Sequence, residues 1–274
     1  MAHELMDTYS DLADARLRAS LVTRDNLIFN PRFEGDGSGR AVRIPVRDLE
    51  VAAKDYNKAT GAQLGTGDTA YIDLLMDKDK AVNEIIDGYD ALSVPDDIVA
   101  DRVDSGAYGL ALVMDKDSIA ELEAARADDN ANVSADTAAA TKENAYELVC
   151  AAMTYHDTIG VPEDGYRWLI ASPAFYAKIL QDDNFVRAGD LSQQLRAQGV
   201  LGQVAGYNVF KSANLKSEFI AGHPNWCHRA TRWIEDVRVK ELGNNYIGAS
   251  AVQGRMVYGV KVSKPQVVFI KNKA

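Results

Sequence analysis

The sequence predicts a mixed α+β fold, and three features carry that expectation. Apolar and polar residues alternate at 42–46, 70–76 and 256–262, the period of a half-buried β-strand. Residues 93–126 instead place apolar side chains at the spacing of one helical face. Residues 166–180 join a short apolar run, a Ser-Pro pair and a second helical pattern, a strand–cap–helix unit whose parts agree with one another. The 274 residues are 47% apolar and 26% charged. That is ordinary globular usage, with length for one large domain or two smaller ones, and it excludes disordered and collagen-like chains.

Residues 1–23 carry Leu5, Tyr9, Leu12, Leu17 and Leu21 at roughly helical spacing among acids and arginines. The stripe is narrow, so this reads as a short amphipathic arm that needs a partner surface. Residues 31–39 are a breaker cluster. Its Gly35, Gly37 and Gly39 do not make a phosphate loop, because no strand leads in and no Lys-Ser/Thr pair follows. Val42, Ile44 and Val46 face one way in the strand that follows, and Pro45, which donates no backbone hydrogen bond, makes it an edge or a partly unpaired strand. Ala70, Ile72, Leu74 and Met76 mark a second strand, with Tyr71 and Asp73 opposite.

Between these strands, Asp48 to Asp68 form a connection of about 20 residues, longer than structureless loops in compact domains usually run. It has few apolar residues for a core of its own. Either the strand assignments are wrong or the hairpin projects to touch something else, and a projecting arm that reaches a neighbouring molecule fits better.

Residues 93–126 read as one long helix: Ser93 caps it, Pro95 sits just inside, and Asp96 and Asp97 complement the dipole in the first turn. The alternative is two helices broken near Asp115-Lys116-Asp117. Residues 127–137 are a polar link, and a second helix runs from about Lys142 to Thr158 with Ala145, Leu148, Ala152 and Tyr155 on one face. The strand 166–171, the cap Ser172-Pro173 and the helix 174–180 follow, then a short helix over 191–198 and a glycine-punctuated turn into the strand 207–210. The remainder is β-rich, with strands at 219–221, 237–242, 256–262 and 267–270.

Composition limits function. With 30 Lys+Arg against 40 Asp+Glu, the net charge of -10 disfavours a general nucleic-acid binder, which needs a basic face. No apolar run of about 18 residues is present to span a membrane. The first residues lack the pattern of a secretory signal. Cys150 and Cys227 are too few for a disulfide framework and read as small buried thiols. The expectation is a soluble protein made in a cytoplasm.

Catalytic chemistry finds no support in the pattern. His223, Cys227 and His228 cluster, but the second couple of a structural zinc site is missing. Asp77-Lys78-Asp79 and Asp115-Lys116-Asp117 lack the glycine and distal Glu of a calcium loop and read as solvated charge at element ends. No nucleophile elbow, P-loop or His-Glu-x-x-His is present. Nothing brings the pairs Glu121/Glu123 and Asp182/Asp183 together as a hydrolase dyad. Trp168, Trp226 and Trp233 read as core. No catalytic residue, cofactor site or metal site is expected, and the chain is not read as an enzyme.

The order of elements carries a resemblance. The stretch Trp168-Leu169-Ile170-Ala171-Ser172-Pro173 through Ala177-Lys178-Ile179-Leu180 and Phe185 continues as Gly199-Val200-Leu201-Gly202-Gln203-Val204-Ala205-Gly206-Tyr207-Asn208-Val209-Phe210-Lys211-Ser212 and Asn214-Leu215. With the arm, the long hairpin, the long helix and the close Val257-Tyr258-Gly259-Val260-Lys261-Val262 before Pro265, it resembles the major capsid protein of tailed bacteriophages, the Hong Kong-97 capsid fold, over essentially the whole chain. The resemblance implies an N-terminal arm at 1–38, an extended loop at 39–80, a peripheral domain with a spine helix at 81–139, an axial domain at 140–218 and a return to the peripheral domain at 219–274.

It further implies a virion protein assembled in a bacterial cytoplasm. Its copies form hexamers and pentamers that close into an icosahedral shell around double-stranded DNA, without sequence-specific binding and with no membrane. Extended-loop residues Lys54, Asp55, Tyr56, Lys58 and Gln63 would contact the neighbouring subunit. Some relatives cross-link a loop lysine to a neighbour's Asn, but no motif singles out Lys54 or Lys58 for that. With no long scaffolding extension ahead of the arm, a separate scaffolding protein is expected, and decoration and portal proteins are possible partners. The acidic charge suits a lining that does not hold packaged DNA. Two rivals stand beside this reading: an encapsulin-like nanocompartment shell with the same fold, and a soluble α/β enzyme with an unrecognised site.

Overall fold

A computed structural model of the chain describes residues 21–23, 27–30, 32, 40–46, 55–59, 61, 70–88, 98–182, 202–243 and 246–274. The arm pattern of 1–20, the breaker segment 33–39, the helix-start signals at 93–97 and the short helix expected over 191–198 lie outside these residues. Ten strands and three α-helices are described: β1 (Ala41–Val46), β2 (Ala70–Leu75), β3 (Lys78–Ile86), α1 (Ile98–Ala124), α2 (Ala145–Thr158), β4 (Trp168–Ala171), α3 (Pro173–Gln181), β5 (Gln203–Val204), β6 (Tyr207–Lys211), β7 (Phe219–Gly222), β8 (Cys227–Glu241), β9 (Ser250–Val262) and β10 (Phe269–Lys271). The mixed α+β class expected from the sequence is the class observed.

The strands form three sheets: a two-stranded ribbon β1-β2, a five-stranded sheet in the order β10-β7-β4-β6-β5, and a three-stranded sheet in the order β3-β9-β8. In the five-stranded sheet β4 runs parallel to β6 and antiparallel to β7. Its central residues alternate between two cores, as strand geometry requires. Trp168 and Ile170 pack with Leu110, Ile119 and Leu122 of α1 and with Met256, Tyr258 and Val260 of β9. Leu169 and Ala171 face the other way, toward Leu148, Val149 and Ala152 of α2 and Phe175 and Ile179 of α3. Burial on both faces is why this strand reads as an unbroken apolar run. The Ser172 cap is realised: its hydroxyl oxygen accepts from the Phe175 amide at 3.3 Å, with Pro173 in the first turn.

The long helix is one continuous α1, with no break at Asp115-Lys116-Asp117. Its 27 residues span about 40 Å. Strand β3, which the sequence pattern does not announce, lies along it. Lys78 reaches Glu121 (3.3 Å), Lys80 reaches Asp117 (3.4 Å) and Arg102 reaches Glu84 (3.4 Å). Between these ion pairs, Gly106 lets the helix settle on the sheet, since a Cβ there would stand 3.2 Å from Val82 Cγ1 and 3.5 Å from Val237 Cγ1.

Asp115 and Asp117 are not solvated charges at an element end. Asp115 is 1% exposed in mid-helix and accepts from the Thr23 amide, the Thr23 hydroxyl and Asn214 Nδ2, each at 2.8 Å. It thereby ties the segment 21–23 and the loop after β6 to the helix. Arg229 completes that tie, donating to the Thr23 carbonyl (2.6 Å) with its guanidinium over the Phe29 ring. Asp117 accepts from the Tyr258 hydroxyl (2.6 Å). Asp77 and Asp79 do keep about half or more of their side chains in solvent.

Candidate assembly surface

The β1–β2 ribbon is built from the alternation seen in its sequence. The strands pair antiparallel from Ala41↔Leu75 to Val46↔Ala70, so residues 47–69 are the connection of a β-hairpin. One face is anchored: Ile44 and Leu74 pack on Ala230 of β8, flanked by Val42 and Met76. The Met76 amide donates to the Arg40 carbonyl (3.0 Å) and closes the base. The anchor depends on a close approach to β9, where a Cβ on Gly259 would stand 2.1 Å from the Leu75 carbonyl oxygen. The other face looks outward, with Tyr71 64% and Leu75 55% exposed on either side of an Arg43–Asp73 ion pair (3.3 Å). Among the described residues neither outer edge of the ribbon has a further strand beside it.

Within the connection, the Gly61 amide donates to the Asn57 carbonyl (2.7 Å) and the Ala59 amide to Asn57 Oδ1 (2.8 Å), a tight local turn. Asp55, Tyr56 and Lys58 on this turn are exposed, Tyr56 at 74%. Lys54 and Gln63 lie outside the described residues.

A second outward surface was not legible in the sequence. At the end of the three-stranded sheet that carries the β8–β9 connection, Ile85, Val239 and Tyr246 are each 40–56% exposed and Ile247 is 96% exposed, while Trp233 and Ile234, 47% and 50% exposed, lie mid-strand on β8. Four large apolar side chains at one end of a sheet are more than scattered surface residues need. Trp233 is therefore half in solvent rather than in the core, and Trp226 is only partly buried, whereas Trp168 is fully buried as expected. The polar face of the same sheet is cross-linked by charge: Arg255 donates twice to Asp79 (3.0 and 2.6 Å), and Glu235 accepts Lys240 (3.0 Å) and Arg238. Hydrogen bonding from Arg255 holds the Asp79 carboxyl below its usual range.

The candidate metal and nucleophile residues are dispersed. His223 Nε2 lies 3.0 Å from Asp164, His228 Nε2 lies 3.1 Å from Ser263 Oγ, and Cys227 is a buried free thiol whose ionisation burial opposes. Cys150 is only partly buried. Among the described residues no three His, Cys, Asp or Glu side chains come together as a metal site. Asp182 accepts from the Tyr146 amide at 2.9 Å, and Glu123 accepts from the amides of Lys216 and Ser217 at 2.9 and 2.6 Å, so these carboxylates hold backbone. No described helix is long and apolar enough to cross a membrane.

No protein-family model matches the chain, and no curated protein does. Solved structures do match, over nearly its whole length. A structure titled "Mycobacterium phage Che8" superposes with a TM-score of 0.81 at 22% identity, covering 98% of this chain and 97% of that one. "Capsid structure of the Cyanophage P-SCSP1u" gives 0.77 at 15% identity, covering 98% and 93%. "Capsid of empty GTA particle computed with C5 symmetry" gives 0.73 at 14% identity, covering 98% and 95%.

Proposed function

We propose that this chain, which has the fold of phage capsid structures, is the major capsid protein of a tailed bacteriophage. Its copies self-associate into hexamers and pentamers of an icosahedral shell that encloses double-stranded DNA. The observation that carries this reading is the superposition at a TM-score of 0.81 over 98% of this chain and 97% of its counterpart. A shell subunit makes contacts on several faces, and the outward face of the β1–β2 ribbon and the apolar end of the three-stranded sheet are surfaces of the kind such contacts use.

In this reading residues 39–80 are the extended loop. Lys54, Asp55, Tyr56, Lys58 and Gln63 meet the adjoining subunit, helix α1 is the spine of a peripheral domain over 81–139, residues 140–218 form the axial domain, and 219–274 return to the peripheral domain. The protein works as structure rather than as a catalyst and resides in the virion after assembly in the host cytoplasm. A scaffolding protein, a portal and decoration proteins are its further partners.

Electron microscopy of the purified protein tests the proposal. Closed shells, partial shells or capsomers are the expected result, and a species that stays a monomer or dimer under all assembly conditions rejects it. Duplex DNA inside native particles supports the phage reading, while a packaged enzyme points to a nanocompartment. Removing residues 50–66 is expected to leave a folded subunit, by circular dichroism, that no longer forms stable shells. Normal particles from that deletion would show that the hairpin is not an intersubunit arm.

A further inference from the structure

A cleft of about 670 Å³ opens beside the second half of β1, and its lining includes Asn30, Arg32, Pro45, Asn225, Trp226 and Lys264. Hydrogen bonds between segments far apart in the chain hold it. The Asn30 amide donates to the Cys227 carbonyl (2.8 Å), and Asn30 Oδ1 accepts from the Arg32 amide (3.0 Å), which fixes where Arg32 leaves the backbone. The Ser263 amide donates to the Trp226 carbonyl (2.8 Å), which holds the segment of Lys264 against that of Trp226. The His223 ring stands edge-on to the Trp226 ring, with centroids 5.3 Å apart. A cleft fastened in this way is formed before anything enters it, so little ordering has to accompany binding.

The lining selects an occupant. Among the described residues its charged side chains, Arg32 and Lys264, are both cations, in a chain whose net charge is -10. Trp226 and Pro45 add an aromatic and an apolar surface beside them. Such a cleft suits a carboxylate that stands next to a ring. The turn at 55–59 presents that pair. Asp55 and Tyr56 are adjacent and exposed, and the bonds from the Gly61 amide to the Asn57 carbonyl and from the Ala59 amide to Asn57 Oδ1 set the shape of the turn. At 74% exposure, Tyr56 is not seated in the cleft of its own chain. A second cleft, of about 450 Å³ against α2, is lined by Asp136 and Glu147 and repels Asp55.

We propose that the Asp55–Tyr56 turn of one copy seats in this cleft of the next copy, with the Asp55 carboxylate on the Arg32 guanidinium and the Tyr56 ring against Trp226 and Pro45. This contact rests on the capsid reading and supplies the acceptor for a turn that the reading assigns only to a neighbour. Arg32 offers a carboxylate two parallel N–H groups, and Lys264 adds positive field from the same lining. Turn and cleft are different patches of one chain, so the contact is head-to-tail and propagates into a ring, as an isologous pair would not. Every copy in the ring gives a turn and receives one.

Charge reversal tests the contact, with the assembled fraction read by sedimentation and the fold by circular dichroism. Asp55→Arg and Arg32→Asp each bring like charges together and are expected to lower the assembled fraction at least about ten-fold. The dichroism is expected to stay unchanged, since both side chains are exposed. The two reversals in one chain are expected to restore assembly to within about three-fold of the wild-type protein. Mixing the two single variants is expected to restore it as well, because in a hexamer where they alternate every turn meets a cleft of opposite charge. Wild-type shells with reversals that assemble normally, or with rescue missing from either the double variant or the mixture, overturn the contact and leave the capsid reading standing. Rescue by the double variant alone would place the pair within one chain. A wild-type protein that never assembles removes the capsid reading and the contact together. Should a reversal fail to fold, Asp55→Asn and Arg32→Gln replace it: each is expected to weaken assembly about three-fold, with the double variant no worse than either single, and additive losses overturn the contact.

Discussion

Strands β4, β7 and β10 of the five-stranded sheet are buried along their whole length, whereas β8 of the three-stranded sheet is buried only over Cys227–Ala230 and is then largely open to Glu241. The first sheet has helices α2 and α3 on one face and α1 with β9 on the other. The second has α1 along one face and, on the other, the β1–β2 ribbon over Ala230 and Gly259 and then exposed ion pairs, with exposed apolar side chains along β8 and at the β8–β9 end. A sheet covered on both sides stabilises its own chain. A sheet only partly covered leaves surface over, and an apolar remainder of this kind suits contact with another molecule.

The sharpest way to break that comparison uses one residue type in both sheets. Trp168→Ala empties a fully buried site in β4 and is expected to cost about 3–5 kcal/mol, read as a lowered urea midpoint. A loss below about 1 kcal/mol would mean the central sheet is not the stabilising unit. Gly259→Ala tests the joint between the ribbon and β9. The new methyl would meet the Leu75 carbonyl oxygen at 2.1 Å, a backbone atom that cannot swing aside. The expected cost is about 1–3 kcal/mol, with faster proteolysis at the ribbon as the sign of a detached base. Unchanged proteolysis would show that the ribbon is held elsewhere. Trp233→Ala, 47% exposed on β8, is expected to change the urea midpoint of the single chain by less than about 1 kcal/mol while lowering the yield of assembled particles. A large loss of monomer stability with normal particles would reverse the roles assigned to the two sheets.

The same contrast explains which elements could be read in advance. Residues 42–46, 70–75 and 256–262 bury one face against the body, so their alternation survives in the sequence. Residues 168–181 were legible because an apolar strand, a capping serine and an N-terminal proline each fix the backbone locally. Strand β3 escaped notice because its inward side chains Lys78, Lys80 and Glu84 are satisfied by ion pairs to α1 rather than by apolar burial. The first ten residues of β8 were missed for a related reason. Arg229 is buried there, but only because Thr23 and Phe29, some 200 positions away in sequence, receive it. The exposed turn at Asp55, Tyr56 and Lys58 was anticipated as a contact, whereas the apolar end of the three-stranded sheet was not, since Ile85, Val239 and Ile247 carry no local mark of exposure.

What the sequence determined by itself is what local physics can set: the α+β class, the hairpin strands, the long helix and the capped helix after β4, all written in periodicity and in Ser, Pro and Gly placement. Tertiary structure alone decided which charges go inside, which tryptophan stays out, and that Arg32, Trp226 and Lys264, far apart in the chain, line one cleft. Those outcomes depend on partners brought together across the fold, and desolvation, ion pairing and close approach are properties of the neighbours a residue meets rather than of its place in the chain.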